Sequence, residues 1–288
     1  IQDNLQLAAN TYVIRVKEME CGRGDIRPNM LLIMDPRGDK ISLPGEATVE
    51  PTFGLPAVWI QERQREEAMF RGLTVVDPST VITTHITEIV KDNMADLLSY
   101  AETQKLLEQI PQAQKKLVDD IVPGTVSITN IQRILQNLLS ERVSIRDLPT
   151  ILEGIAEASG STRSMTQMTE HVRSRLARQL CNVNLNAEGI LPIIALSPDW
   201  EQAFLESLVG QGEERQLAMA PSQLQEFITK VRGTFERQAM AGETPVLLTG
   251  PHIRPYVRSV VERFRPVTVV MSQAEIHPKV RIRTVDAI

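Results

Sequence analysis

The sequence predicts a protein of several subdomains that combines α/β and α+β architecture. Three observations support this fold class. Short strand-like runs separated by glycine and proline dominate the first ninety residues, helical periodicity continues from about residue 94 to residue 180, and strands alternate with helices after Cys181. The chain has 288 residues, of which 42% are hydrophobic, so it can bury a core and has room for about two domains, or for more if they are small.

The first ninety residues are predicted to alternate strands with helices. A turn is predicted at residues 21–25, because its two glycines can adopt positive φ angles. Gly72 is expected to end a short helix, and Asp77 with Pro78 is expected to open a long one. We predict strands at 11–16, 30–34, 57–60 and 73–76, a short helix at 62–70 and a long helix from about 79 to 99.

The middle of the chain has the periodicity of a helix bundle. Thr129, with Gln132 three positions later, forms a capping-box pattern at the start of one helix. Its apolar stripe recurs at three- and four-residue steps, at Ile128, Ile131, Leu135 and Leu138. We expect this stripe, and a second one over residues 145–155, to form the core of the bundle.

Pro149 leaves two possible starts for the helix that carries the second stripe. If Ser144 is the N-cap, Pro149 falls beyond the first turn and removes a backbone hydrogen bond. If Asp147 is the N-cap, Pro149 lies within the first turn, where its missing N–H costs little. We therefore favour Asp147.

The chain after Cys181 is predicted to form a compact α/β unit, because strands and helices alternate there. Ser197 is the expected N-cap of its first helix. We predict strands at 191–196, 246–249, 267–271 and 280–285, and helices at 198–208, 222–241 and 253–264.

No catalytic, metal or cofactor site is visible in the sequence. It contains no phosphate-loop, dinucleotide-binding, zinc-protease or nucleophile-elbow motif. The turn after residues 246–249 has the position of a phosphate loop, but it lacks a lysine and Pro251 removes an N–H donor. The four histidines are scattered, and Cys21 and Cys181 lie too far apart in sequence for a metal motif. An enzyme hidden in the C-terminal α/β unit is the rival hypothesis.

Charge and composition restrict the possible partners. A net charge of −5 and an aromatic content of 4% disfavour a nucleic-acid-binding protein. No apolar run approaches the length of a membrane span, and the opening residues lack the features of a signal peptide, so we expect a cytosolic piece of a longer protein. Residues 245–288 have a basic excess, which is either a solvated face or a contact surface carried by Arg254, Arg258, Arg281 and Arg283.

Phe53 lies in a segment bounded by proline and glycine, from Val49 to Pro56. Such a loop usually runs over the surface, where a phenylalanine would be unusually exposed and available to a partner. The alternative is that Phe53 packs into its own subdomain. The residues alone leave both interpretations open.

Four stretches of the chain resemble one known family. They are VEPTFGLPAVWI at 49–60, GLTVVDPSTVITTHITEIV at 72–90, VPGTVSITNIQRILQNLLSERVSIRDLPTILE at 122–153 and SQAEIHPKVRIRTV at 272–285. Together they resemble the cytoplasmic part of the FlhA family, the export gates of the bacterial flagellum. The resemblance covers essentially the whole chain, and the third stretch is its most specific part.

The resemblance implies four subdomains. The first is discontinuous and α/β, it comprises residues 1–28 and 78–97, and it is incomplete at its N-terminus. A small second subdomain is inserted at 29–77. A helical third subdomain follows at 98–177, and a compact α/β fourth subdomain occupies 178–288.

The resemblance also implies a function without catalysis or cofactor. Family members form a ring, thought to be nine-membered, at the cytoplasmic face of the inner membrane, and they dock export chaperones with bound substrates. The family's docking dimple matches Glu50, Phe53 and Thr84 here, with the carboxylate and hydroxyl at its rim and with Val81 and Ile82 as possible walls. Other export-gate components and the export ATPase are implied partners. The alternatives are a virulence-type export gate and a mainly structural ring scaffold.

Overall fold

The computed structural model describes residues 1–36, 38, 41–212 and 215–288. These residues form two compact units, 1–97 and 98–288. Several sheets combined with many helices confirm the predicted fold class. The limits of the four subdomains stay a prediction, and residues 37, 39, 40, 213 and 214, which fall in the second and fourth of them, lie outside the described residues.

The first unit begins with an antiparallel hairpin of strands β1 (Thr11–Val16) and β2 (Met19–Asp25). The predicted turn at 21–25 is wrong, because this segment is part of β2. The chain reverses instead at Lys17 and Glu18, which both have positive φ angles of 48° and 66°. Two adjacent positive φ angles match the twist of a tight hairpin, but neither residue type signals such a turn.

A four-stranded antiparallel sheet follows, in the order β4-β5-β3-β6. Side chains alternate between its two faces, so Ile60 packs towards Ala68 on one face and Trp59 packs towards Val81 on the other. The elements are β3 (Met30–Met34), β4 (Glu46–Val49), β5 (Pro56–Gln61), α1 (Arg65–Phe70), β6 (Thr74–Val76), α2 (Pro78–Asp92) and α3 (Met94–Leu97). Strand β4 was not predicted.

Helix α2 is shorter than the predicted helix at 79–99. The Asp77 side chain caps its start by accepting a hydrogen bond of 2.7 Å from the N–H of Thr80. At its end, the amide of Asn93 donates to the carbonyl of Ile89 at 2.7 Å, and the short helix α3 follows. A side chain that satisfies a terminal carbonyl favours helix termination at this point.

The second unit begins with helices packed around an apolar core. Ser127 caps α6 by accepting from the N–H of Asn130, so the cap predicted at Thr129 is wrong by two positions. Asp147 accepts from the N–H of Thr150 at 3.3 Å, which confirms the favoured cap of α7. The helices are α4 (Tyr100–Glu108), α5 (Lys115–Ile121), α6 (Ile128–Ser140), α7 (Leu148–Ser159), α8 (Met165–Arg175) and α9 (Ala177–Asn182).

The chain then forms a parallel sheet in the order β11-β10-β7-β12. Phe204, Phe227 and Val257 belong to its buried core. The small hairpin of β8 and β9 was not predicted. The elements are β7 (Ile190–Ala195), α10 (Pro198–Glu206), β8 (Leu208–Val209), β9 (Gln216–Leu217), α11 (Pro221–Met240), β10 (Val246–Thr249), α12 (Arg254–Val261), β11 (Val270–Ser272) and β12 (Arg281–Ala287).

Candidate functional site

The loop between β4 and β5, residues 50–55, is held in shape by the side chain at its first position. The Glu50 carboxylate accepts hydrogen bonds from the backbone N–H of Thr52 at 2.9 Å and of Phe53 at 2.7 Å. The backbone of Glu50 also donates to the carbonyl of Leu55 and accepts from Gly54, at 2.9 and 3.0 Å. Hydrogen bonds to a charged acceptor are stronger than those to a neutral one, so these bonds stabilise a single conformation of the loop. We call residues 50–55 the Phe53 loop.

Phe53 is exposed on this loop, with 62% of its surface accessible to solvent. Of the two interpretations left open by the sequence, the structure therefore supports the exposed one. Val49, immediately before the loop, is also exposed. Because the loop backbone is already ordered, binding costs little further backbone entropy, and large aromatic residues are among those that dominate interfaces.

Glu50 does not have the rim position that the resemblance implies. It is only 3% exposed, and both carboxylate oxygens bond to backbone N–H groups of its own loop. The expectation that it meets a partner directly is corrected accordingly. Its physical role is to order the Phe53 loop.

Helix α2 provides the other predicted residues of the site. Val81 and His85 lie one helical turn apart and are both buried, so they mark the face of α2 that packs against the rest of the unit. Val81 packs with Trp59 of β5. Ile82 and Thr84 lie on either flank of this buried face and are both half-buried. Val81 is thus a core residue, whereas Ile82 and Thr84 remain partly accessible.

A hydrogen-bonded pair that sequence reasoning missed lies beside this loop. The Tyr12 hydroxyl lies 2.8 Å from Nδ1 of His85, and the two rings meet edge to face at 5.7 Å. Burial, followed by the negative charges of Glu50 and Asp25, raises the pKa of Tyr12 to about 12. Burial lowers the pKa of His85, and the charge of Glu50 opposes that shift. Glu50 therefore lies close enough to act on both groups.

Arg254 and Arg258 were predicted as possible surface contacts, and the structure corrects this for both. They are 2% and 8% exposed. Nη1 and Nη2 of Arg258 donate to the carbonyls of Thr268 and Pro266, at 2.8 and 3.1 Å. Both side chains are therefore occupied inside the second unit and cannot reach a partner.

Arg254 is the centre of a buried ion-pair network. Its Nε and Nη2 bond to Glu170 at 2.6 Å each, and its Nη1 and Nη2 bond to Glu141 at 2.8 Å each. Burial alone would lower the pKa of Arg254, but the two carboxylates outweigh it and hold the pKa well above the usual value. Arg173 completes the network with bonds of 2.9 and 3.0 Å to the buried Glu275.

Arg281 and Arg283 remain at the surface on β12, at the edge of the parallel sheet. Arg283 pairs with Glu243, and Arg281 donates to the backbone carbonyl of Glu188 at 3.1 Å. Of the four arginines predicted as contacts, these two keep exposed side chains.

The turn after β10 uses one of its backbone N–H groups within the chain. The N–H of Gly250 donates to Glu201 at 2.6 Å, so a carboxylate of the chain itself takes the place of an anion. Within the described ranges, no group of three or more His, Cys, Asp or Glu side chains is placed to hold a metal ion. The same ranges contain no helix that is both long and apolar enough to cross a membrane.

Comparison with known proteins places the chain in a family. The model of the FHIPEP family matches residues 1–281. The chain belongs to the FHIPEP family.

One curated FHIPEP relative is the flagellar biosynthesis protein FlhA of Caulobacter vibrioides, which is 63% identical over 285 residues. The match covers 99% of this chain and 41% of the relative, so the chain spans about two fifths of that protein's length.

Solved structures show the same fold. The Chlamydia pneumoniae CdsV protein matches with a TM-score of 0.84 at 25% identity, over 99% of this chain and 82% of that one. A nonameric SctV-C from EPEC matches with a TM-score of 0.77 at 19% identity, over 99% of this chain and 85% of that one. At that identity the second match supports the fold alone.

Proposed function

We propose that this chain is a docking part of a flagellar protein-export gate, which binds export chaperones carrying their substrates through the Phe53 loop. The main observation behind this proposal is an exposed phenylalanine on a loop whose shape is held by a buried carboxylate. An aromatic anchor on a backbone that is already ordered suits a binding hot spot. Ile82 and Thr84, half-buried on α2, are proposed as further contacts, and Val81 as packing beneath them.

The flagellar assignment rests on relatives. A 63% identical protein is named as a flagellar biosynthesis protein, whereas the CdsV match has 25% identity. We therefore favour a flagellar gate over a virulence-type gate. The proposed location is the cytoplasmic face of the inner membrane, with any membrane attachment supplied by sequence outside this chain.

Self-association into a ring, other gate components and the export ATPase are proposed as further interactions. The ring is proposed by analogy with a nonameric protein of the same fold. Arg281 and Arg283 on β12 are proposed as contacts to acidic surfaces of partners or neighbouring copies. If they act through charge, self-association will weaken as ionic strength rises.

No catalytic step is proposed. In the turn that most resembles a phosphate-binding loop, Glu201 already accepts from the N–H of Gly250, which favours a binding module over an enzyme in the α/β unit. Titration with nucleotides tests this point, because saturable heat would support the rival hypothesis.

The docking proposal is tested by calorimetric titration of this chain with a flagellar export chaperone bound to its substrate. Phe53→Ala is expected to weaken binding by about 1–3 kcal/mol, the usual cost of truncating a hot-spot residue. Phe70→Ala is the matched control, because Phe70 is 94% exposed on α1 of the same compact unit and belongs to no proposed contact.

Equal affinity of wild type and a correctly folded Phe53→Ala variant would overturn the assignment of the site. Loss of binding in Phe70→Ala of the same size would show that exposed apolar surface, rather than the Phe53 loop, drives association. Binding by neither wild type nor variants would favour the structural-scaffold alternative, which assembly of the ring then tests.

A further inference from the structure

Tyr12 and His85 come from distant parts of the chain and meet beside the Phe53 loop. Tyr12 belongs to β1 and His85 to α2, and their side chains are joined by a hydrogen bond of 2.8 Å. His85 is only 4% exposed. Burying an imidazole costs stability unless its polar atoms form hydrogen bonds. The bond to Tyr12 therefore favours one arrangement of α2 against the hairpin of β1 and β2.

The direction of this hydrogen bond depends on the tautomer of His85. Tyr12 keeps its proton at neutral pH, since its pKa is raised to about 12 by burial and by the charges of Glu50 and Asp25. In the His85 tautomer that carries its proton on Nε2, this hydroxyl donates to Nδ1.

Two glycines of β2 make space for the pair. A Cβ atom built on Gly22 would lie 2.8 Å from Nε2 of His85, and one built on Gly24 would lie 2.6 Å from the Tyr12 hydroxyl. Cβ atoms essentially never come within 3.0 Å of such neighbours, so any larger residue would push the rings away. Backbone and side chains thus enclose the pair on the β2 side.

Glu50, the residue that orders the Phe53 loop, also lies near the Tyr12–His85 pair. Its charge acts on both Tyr12 and His85, and its carboxylate holds the N–H groups of Thr52 and Phe53. The charges that act on the pair include Glu50 from the loop, which affects both rings, and Asp25 from β2, which affects Tyr12.

We propose that Tyr12 and His85 are positioning residues for the Phe53 loop: their neutral hydrogen-bonded pair seats α2 beside Glu50 and leaves the Glu50 carboxylate to the N–H groups of Thr52 and Phe53. For partner binding this inference rests on the docking function proposed above. The effect on loop geometry does not depend on that function.

Protonation of His85 reverses the arrangement. An imidazolium donates from both ring nitrogens, so the Tyr12 hydroxyl must turn and accept. The new positive charge also attracts the Glu50 carboxylate, which then competes with the backbone N–H groups of the loop. The Phe53 loop should therefore loosen as His85 becomes charged.

Hydrogen exchange at the amides of Thr52 and Phe53 measures this directly, because these amides open only when the bonds to Glu50 break. Tyr12→Phe keeps the ring and removes the hydroxyl, and it is expected to speed their exchange by about threefold or more at about pH 7.5. Thr87→Val is the matched control, since it removes an exposed hydroxyl from the same helix α2.

His85→Gln is the second variant, in case Tyr12→Phe does not fold. Its carboxamide oxygen can accept from Tyr12 but does not titrate, so loop protection should persist. Burial lowers the pKa of His85 from its ordinary value of about 6.5, so in wild type the protection of these amides, relative to their exchange rate in an unstructured chain, should fall as the pH drops below about 6.5. His85→Gln should remove that fall. Unchanged exchange in Tyr12→Phe, or the same fall in His85→Gln, would overturn the positioning role.

Affinity for the chaperone–substrate complex separates this inference from the docking proposal. We expect Tyr12→Phe to weaken binding by about three- to tenfold, less than Phe53→Ala does. If Phe53→Ala loses binding while Tyr12→Phe binds like wild type, the positioning role in docking is wrong and the docking site stands. If exchange responds as expected but wild type does not bind, the loop assignment stands and the docking function fails.

Discussion

Glu50 and Glu275 are both almost completely buried, yet the two units of the molecule use them differently. In the first unit, Glu50 bonds to the backbone of its own loop and holds an aromatic side chain at the surface. In the second unit, Glu275 pairs with Arg173 across the boundary between the predicted helical and α/β subdomains. The difference shows that a buried carboxylate indicates a function only once its partners are known.

The largest expected effect comes from breaking the buried network. Arg254→Met should destabilise the second unit by about 3–5 kcal/mol, because Glu141 and Glu170, whose side chains are only 15% and 19% exposed, would lose the cation that they share. Denaturant unfolding measures this change. A loss below about 1 kcal/mol would mean that water reaches the carboxylates, and the network would then not join the predicted third and fourth subdomains.

An intermediate effect is expected at the Phe53 loop. Glu50→Gln keeps one acceptor oxygen but loses the charge and one of the two backbone bonds, which should cost about 1–2 kcal/mol in the stability of the first unit. Thermal unfolding of Glu50→Gln is compared with that of Glu46→Gln, because Glu46 is an exposed glutamate that pairs with Arg27. Equal unfolding free energies for the two variants would show that the buried carboxylate does not order the loop.

The smallest effect is expected for an exposed ion pair. Arg237 lies 3.0 Å from Asp286, but the Arg237 side chain is 62% exposed. Arg237→Ala should therefore change the unfolding free energy by less than about 1 kcal/mol, and added salt should reduce even this difference. A cost as large as that of Arg254→Met would contradict the view that burial, and not charge alone, decides the importance of these pairs.

Local signals in the sequence predicted much of the fold. Asp147 followed by Pro149 identified the start of α7, because both the cap and the tolerated proline act within one turn. Strand β10 was predicted with its observed bounds from a short apolar run. The reversal at Lys17 and Glu18 was missed, because these residues seldom adopt positive φ angles and do so here within the hairpin.

The candidate site was less predictable, because its contacts join distant positions. The exposure of a loop phenylalanine was one of two interpretations that the residues allowed. The Tyr12–His85 pair spans 73 positions and the Arg254–Glu141 pair spans 113, so no local pattern marks either of them. The burial of Glu50 likewise depends on the closed loop, and a carboxylate beside proline and threonine carries no sign of it.

The docking role of the Phe53 loop is tested most directly by mapping amide chemical shifts of the first unit while a flagellar export chaperone bound to its substrate is added to this chain. Shifts concentrated at residues 49–55 and on α2, and absent from Phe53→Ala, are the result that we predict. Saturable binding that leaves those amides unchanged and shifts residues of β12 instead would contradict the proposal and move the docking site to the C-terminal sheet.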